Sequence, residues 1–279
     1  MNLLSPPEIK TLLEKYKTKP SKKFGQNFLI DKNVLEKIIV ASDIKKDDTI
    51  LEVGPGIGTL TQELAKHASK VIAVEKDRNM IEILKETLLG LDNVHIIEAD
   101  ILSYKLQVTS YKVVANIPYY LTSPLIRKFL ESANQPEEII LMMQKEVAER
   151  ITAKPPHMSI LAVSVQFYAT AKIILKVSKN CFWPAPKVDS AIIKITPTAP
   201  NSATAEFGAS AELFFKIVKA GFSQPRKQIV GNLVKTLKME RGEVEAWLTK
   251  NSIAPTQRAE TLSVQDWRNL TQTFVNGNF

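Results

Sequence analysis

Asn116-Ile117-Pro118-Tyr119-Tyr120 brings a side-chain amide, a proline and two aromatic rings together directly after the apolar run Tyr111–Ala115. An amide hydrogen-bonds a flat amino group, proline fixes the backbone, and a tyrosine ring offers a face for stacking. Those are the means of gripping the edge and face of a nucleobase. The same residues also suit a strand-to-helix turn whose aromatics are buried for packing, and the rest of the chain decides between the two. Tyr120 is read as the packing residue of the pair.

A second constellation is Glu52-Val-Gly54-Pro-Gly56-Ile-Gly58-Thr59, which follows one apolar run and opens a helical pattern. Glycines let the backbone approach a ligand, and a helix N-terminus adds exposed N–H donors. A dinucleotide fingerprint needs a glycine where Thr59 stands, and a P-loop needs Gly-Lys-Ser/Thr, so neither fits. An acidic residue two places before three alternating glycines resembles the S-adenosylmethionine-binding loop of class I methyltransferases. Glu75 ends the next apolar run, 21 residues after Gly54, where a carboxylate can accept both ribose hydroxyl protons. Asp100 ends the third, where it can accept from an adenine amino group, with Ile101 packing on the ring.

These residues need a sheet to hold them. Apolar runs at Thr49–Val53, Val71–Val74, Val94–Ile97, Lys112–Ala115 and Ile139–Met143 alternate with helical patterns at Thr59–His67, Asn79–Leu89 and Thr122–Glu131. That alternation predicts an α/β fold with a mostly parallel sheet covered on both faces. Each chemical residue then falls at a strand's C-terminal end, where such folds bind ligands. Ala171–Val177 and Ala191–Thr196 are expected to pair as a terminal antiparallel hairpin at the sheet edge. Ser159–Tyr168 is too apolar for a surface helix and is expected to pack on the sheet. Upstream, Pro6–Tyr16 reads as a short helix and Asp31 as the N-cap of the next. Pro197–Gly208 reads as a linker, and the period beyond it is helical at Ala211–Ala220, Arg226–Leu237, Arg241–Asn251 and Ser263–Thr273. The expected division is a catalytic domain at 1–199 with an N-terminal helical extension, and a small all-α domain at 200–279 that contacts RNA.

Charge is distributed unevenly along the 279 residues. The formal net charge is +8, made of +3 over residues 1–48, −2 over 49–171, +4 over 172–199 and +3 over 200–279. A slightly acidic core framed by basic segments suits a polyanionic partner. Cys181 is the single cysteine, so no intramolecular disulfide can form and a reducing compartment is expected. His67, His95 and His157 have no metal-ligand spacing, and no metal is expected. Lys10, Glu14, Lys15 and Lys17 interrupt any signal-peptide core, and no apolar stretch is long enough for a membrane span. A cytoplasmic protein acting as a monomer is expected.

The motifs converge on a family. Asn116-Ile-Pro-Tyr119 resembles the target motif of adenine-N6 methyltransferases acting on nucleic acid. Phe24-Gly-Gln-Asn-Phe-Leu29 with Glu52-Val-Gly-Pro-Gly-Ile-Gly58 resembles the rRNA adenine dimethyltransferases. Phe182-x-Pro-x-Pro-Lys-Val-Asp-Ser190 and Arg258-Ala-Glu-Thr-Leu262 are similar to those of the KsgA type, over a span from about Lys22 to Leu262. The resemblance implies a Rossmann-like class I fold and S-adenosylmethionine as cofactor. It also implies dimethylation of two adjacent adenines near the 3′ end of 16S rRNA in the small ribosomal subunit. Asn27 and Leu29 are then expected to join Gly54, Gly56, Glu75, Asp100, Ile101 and Asn116 around the cofactor. The chain departs from the family at Phe222-Ser-Gln-Pro225-Arg226-Lys227, where two arginines more often precede the lysine.

For the chemistry, the Asn116 oxygen and the Pro118 carbonyl are expected to accept the two N–H bonds of the target amine, localising its lone pair. Tyr119 is expected to stack on one face of the base and Phe182 on the other. Lys17, Lys19, Lys22, Lys23, the lysines of 172–187, and Arg226 with Lys227 are candidate phosphate contacts. Four rivals remain: an erythromycin-resistance type enzyme acting on the large subunit, a non-catalytic ribosome-assembly module, a DNA adenine methyltransferase and a small-molecule methyltransferase. Intact Asn116, Tyr119 and Glu75 argue against the second. The third usually carries another target motif, and the fourth leaves the basic flanks unexplained.

Overall fold

A computed structural model describes residues 1–198, 210–275 and 277. Most of the linker expected at Pro197–Gly208 lies outside the described residues. In chain order the first elements are α1 (Pro6–Lys15), β1 (Phe28–Leu29), α2 (Lys32–Ser42), β2 (Thr49–Val53), α3 (Thr59–His67) and β3 (Lys70–Glu75). Then come α4 (Arg78–Thr87), β4 (Val94–Glu98), β5 (Lys112–Asn116), α5 (Thr122–Leu130), β6 (Ile139–Gln144) and α6 (Lys145–Ile151). The rest are α7 (Ile160–Tyr168), β7 (Ala169–Val177), β8 (Phe182–Trp183), β9 (Ser190–Pro197), α8 (Ser210–Gly221), α9 (Ile229–Leu237), α10 (Arg241–Lys250) and α11 (Val264–Val275).

Two compact units result: Met1–Ala148 with Ala171–Pro197, and Glu149–Thr170 with Thr198–Phe279. The first contains a seven-stranded sheet in the order β4-β3-β2-β5-β6-β9-β7. The pairs β3–β4, β2–β3, β2–β5 and β5–β6 are parallel, while β9 runs antiparallel to β6. Ile50, Leu51, Val113, Val114, Ile140 and Leu141 are buried to 1% exposure or less, as continuous β-branched and leucine runs require when both sheet faces are covered. Asp31 caps α2, its side chain accepting from the Val34 N–H at 3.0 Å. The strand order reverses between β2 and β5. Ligands of open α/β sheets sit in the crevice at such a switch point, beyond the strands' carboxyl ends. Gly54 and Asn116 flank that crevice from adjacent strands.

The second unit differs from expectation at its boundary. The helix at Ser159–Tyr168 was expected to cover the sheet; instead Phe167 packs against Phe214 and Phe215, with ring centroids 4.2 and 5.3 Å away. Glu149–Thr170 therefore groups with the C-terminal helices, whereas the 1–199 and 200–279 division placed it with the sheet. The core of this unit is built on Trp247, Trp267 and Phe214, all fully buried. Gly221 is required by space: a Cβ there would lie 2.3 Å from the Trp267 ring. The helix expected from Arg226 starts only at Ile229, because Gln224–Lys227 form a turn closed by the Lys227 N–H on the Gln224 carbonyl at 2.9 Å. Pro225 occupies the second position of that turn, where its fixed φ is favourable. The departure from the family pattern thus exchanges a cation for turn rigidity.

Candidate active site

One cavity of about 290 Å³ opens at the crevice beyond β2 and β5. Among its walls are Asn27, Leu29, Gly54, Gly56, Glu75 and Asp100, together with Ile101, Asn116, Pro118, Tyr119 and Phe182. Every residue expected at the cofactor and target sites is therefore brought to the same cavity.

The glycine loop supplies one wall. Gly54, Gly56 and Gly58 have φ of +67°, +61° and +92°, in the left-handed region that side chains rarely adopt. A Cβ on Gly56 would also stand 3.3 Å from the Phe28 ring. The backbone passes close by, with the Gly54 and Gly58 N–H groups bonded to the Val74 and Pro55 carbonyls at 2.9 and 3.0 Å.

Two carboxylates lie at that wall. Glu75, at the end of β3, accepts from the Gly56 N–H at 3.2 Å through Oε2, and from the Lys76 and Asp77 N–H groups at 2.7 and 2.9 Å through Oε1. Burial nevertheless raises its pKa, more than these three donors lower it. A carboxylate has about four lone-pair positions, so Oε2 keeps acceptor capacity for a ligand hydroxyl. Glu52 is 2% exposed, and among the described residues its Oε2 has no hydrogen-bond partner. Burial pushes its pKa up to about 8; the Thr61 hydroxyl opposes the shift and the Glu75 charge adds to it. Glu52 is thus a protonated acid at neutral pH. Its place before the glycines was visible in the sequence, but its burial was not.

Asp100 lies two residues past the end of β4, in the following turn rather than on the strand itself. Lys76 Nζ sits 2.7 Å from its Oδ2, and the Leu102 N–H donates to Oδ1 at 2.9 Å. The Lys76 hydrogen bond is the main reason its pKa lies below the usual carboxylate range. Ile101 beside it is 5% exposed and presents an apolar face to the cavity.

The target side is assembled from three separated segments. β1 and β8 form a two-stranded antiparallel ribbon with Leu29 opposite Phe182, which carries Asn27, Leu29 and Phe182 to one wall. A two-residue strand has no readable period, so this pairing was not foreseen. Asn116 ends β5 and donates from Nδ2 to the Asn27 carbonyl at 3.3 Å. That bond assigns the amide orientation, leaving Oδ1 as an acceptor without a protein donor among the described residues. The Pro118 carbonyl accepts the Leu121 N–H at 2.9 Å, which engages one of its two lone pairs. Tyr119 opens a 3-10 turn, Tyr119–Leu121, and its hydroxyl lies 2.8 Å from Ser190 Oγ. Burial raises its pKa despite the Ser190 bond, so the phenol is neutral. Tyr120, read as a packing residue, is 56% exposed and lines the cavity instead. Gln26, whose Nε2 donates to Asp77 at 2.8 Å, is another wall residue outside the expected set.

The second unit has a basic cleft of its own, about 610 Å³, lined by Arg226, Lys227, Lys235, Arg241 and Arg258. Arg241 pairs with Glu245 at 2.7 Å and Arg258 with Glu260 at 3.7 Å. Among the described residues no cluster of His, Cys, Asp and Glu could hold a metal ion, and no helix is long and apolar enough to cross a membrane.

A parallel sheet with a glycine loop at its switch point and carboxylates beyond the next two strands defines a class I methyltransferase, whose cofactor is S-adenosylmethionine. The chain belongs to the ribosomal RNA adenine dimethylase family, whose model matches residues 17–275. It is 42% identical over 268 residues to ribosomal RNA small subunit methyltransferase A of Dehalococcoides mccartyi strain CBDB1, covering 94% of this chain and 91% of that one. The protein of the same description from Alkaliphilus metalliredigens is 40% identical, with 97% of each chain covered. Among solved structures, the 23S rRNA methyltransferase ErmE superposes with a TM-score of 0.74 at 30% identity, over 88% of this chain and 98% of that one. A dimethyladenosine transferase from Plasmodium falciparum gives 0.73 at 29% identity, over 89% and 98%.

Proposed function

We propose that this protein dimethylates the exocyclic N6 of two adjacent adenines near the 3′ end of 16S rRNA, on a small-subunit assembly particle in the cytoplasm. The orientation of Asn116 carries the reading. Its Nδ2 is committed to the Asn27 carbonyl, so Oδ1 serves as the acceptor for one target N–H. The second lone pair of the Pro118 carbonyl takes the other. Two acceptors in this arrangement hold the N–H bonds so that the nitrogen lone pair is drawn out of conjugation with the ring and localised. Tyr119 and Phe182 provide stacking faces, each such contact typically contributing about 1–3 kcal/mol towards holding an extruded base.

S-adenosylmethionine, when bound, supplies an electrophilic methyl group on a sulfonium centre. The residues present fit it: Glu75 for the ribose hydroxyls, Asp100 for the adenine amino group, Ile101 and Leu29 for its apolar face, and the side-chain-free backbone at Gly54 and Gly56 for close approach. Asn27 orients Asn116 and closes the same wall. The alkylated nitrogen is acidic enough to lose its proton to water or a nearby carbonyl, so positioning supplies most of the catalysis.

In the second unit, Arg226, Lys227 and Lys235 suit RNA phosphates, as do the basic residues Lys17–Lys23 in the first. The small-subunit reading draws on relatives about 40% identical over nearly their whole length, against 30% for the large-subunit enzyme.

The test is to incubate the protein with labelled S-adenosylmethionine and each ribosomal subunit from an unmodified strain, then map the labelled adenines. Label on two adjacent adenines of the small subunit is expected, and large-subunit label would favour the rival. Asn116→Ala is expected to abolish transfer while cofactor affinity stays within a few-fold. Near-normal turnover in that variant overturns the assignment.

A further inference from the structure

Ser190 is fully buried at the start of β9 and is not part of the cavity wall. A hydroxyl in that position is costly to bury unless it is hydrogen-bonded. Its side-chain partner is the Tyr119 hydroxyl at 2.8 Å. We infer that Ser190 is a positioning residue, which fixes the plane of the Tyr119 ring from behind the cavity. This inference rests on the reading of Tyr119 as a stacking face.

The two ends of the hydrogen bond are held very differently. Ser190 is paired with Gln144 in the β6–β9 ladder, so its backbone belongs to the central sheet. The preceding residue fastens the strand entry further: the Asp189 carbonyl accepts the Lys145 N–H at 3.0 Å, and Asp189 Oδ1 accepts the Lys179 N–H at 3.0 Å. Lys179 opens the short turn that leads into Phe182, so the Asp189-Ser190 pair ties the approaches to both proposed stacking rings. Tyr119, in contrast, stands in a 3-10 turn none of whose residues is buried. An aromatic ring projecting from such a turn is free to tilt unless its far end is anchored. The Ser190 hydroxyl provides that anchor from a strand paired into the seven-stranded sheet. Stacking depends on ring plane and offset, and a displacement of about 1 Å at a reacting centre can cost about 100-fold in rate.

The experiment compares Tyr119→Phe, Ser190→Ala, their double variant and Tyr119→Ala, measuring kcat, KM for the RNA substrate and cofactor affinity. Tyr119→Phe keeps the stacking face and loses only the anchor. It is expected to lower kcat about tenfold, with cofactor affinity unchanged and KM changed less than kcat. Ser190→Ala is expected to match it, and the double variant to be no worse than either single one, because one hydrogen bond is broken in all three. Tyr119→Ala is expected to lose much more. If Tyr119→Ala is nearly as active as the parent, the stacking reading itself fails. If Tyr119→Ala is severe but Tyr119→Phe retains full kcat, stacking stands and the anchor is overturned. Single losses that multiply in the double variant overturn it equally. Tyr119→Phe decides the question alone should Ser190→Ala fail to fold.

Discussion

Glu75 and Asp100 were expected to do parallel work at successive strand ends, yet the protein holds them in opposite ways. Glu75 is 8% exposed and gripped by three backbone amides, with a pKa raised by burial. The Asp100 side chain is 34% exposed and steadied by one lysine and one amide, with a pKa lowered by that lysine. Backbone donors in the glycine loop and just past β3 are held by the chain itself, whereas a lysine tether can swing into water. The glycine-loop side of the cavity is therefore built in advance, and the side beyond β4 is held by side chains that can adjust. Specific ribose recognition suits the first arrangement and tolerance in placing a flat ring suits the second.

Substitution at the two carboxylates separates these cases most strongly. Glu75→Ala removes the acceptor for the ligand and leaves three amides unpaired, of which the buried one at Asp77 costs about 1–3 kcal/mol when orphaned. Cofactor affinity is expected to fall about 100-fold or more, equivalent to about 3 kcal/mol, as read by calorimetric titration with S-adenosylmethionine. Asp100→Ala is expected to lose about tenfold or less, since water can replace a partly exposed acceptor. Equal losses at the two positions would break the contrast between a fixed and an adjustable wall.

Glu52 sharpens the same point through pH. At low pH the acid is protonated in both folded and unfolded chains, so its contribution to stability is complete there. Between the ordinary 4.5 and about 8 the unfolded chain ionises while folded Glu52 keeps its proton, and stability declines. Above about 8 both states are ionised and the decline stops. Glu52→Gln keeps the shape without the titration, so the variant is expected to gain on the parent by a few kcal/mol between acid and mildly alkaline pH. Urea denaturation at pH 5, 7 and 9 measures the difference, which includes the coupling of Glu52 to the Glu75 charge. A parallel pH dependence in parent and variant would show that Glu52 ionises freely.

The residues proposed to carry chemistry were legible because their types are unusual at strand ends: glycines before a helix, single carboxylates after apolar runs, and Asn-Ile-Pro-Tyr after another. The α/β order was legible from the same apolar runs. The β1–β8 ribbon was hidden, because Phe28–Leu29 and Phe182–Trp183 are too short for any periodicity and meet across 153 residues of sequence, counting from Leu29 to Phe182. Ser159–Tyr168 announced that it was buried but not by what, since a helix apolar on all sides carries no direction. Tyr120 misled for a related reason: residue type alone does not say whether an aromatic in a short turn is packed or lines a cavity, and both Tyr119 and Tyr120 line this one. Ser190 was visible only as the last letter of a motif, its partner 71 residues away.

The smallest expected effect lies at Lys76. Its side chain is 58% exposed, and an ion pair in that setting adds little net stability because water and salt screen it. Lys76→Met should leave the melting temperature within about 2 °C at pH 7 and cofactor affinity within about twofold. The consequence appears in acid. Asp100 with Lys76 beside it has a depressed pKa, so its stabilising charge is present above the ordinary carboxylate pKa and is lost only as pH falls through the depressed one. Without the lysine hydrogen bond, Asp100 takes up its proton at higher pH. The variant is then expected to lose cofactor affinity earlier on acidification, with parent and variant curves converging at neutral pH. A large loss at pH 7 would mean that Lys76 holds the ligand directly, and the wall beyond β4 would be as fixed as the one at Glu75.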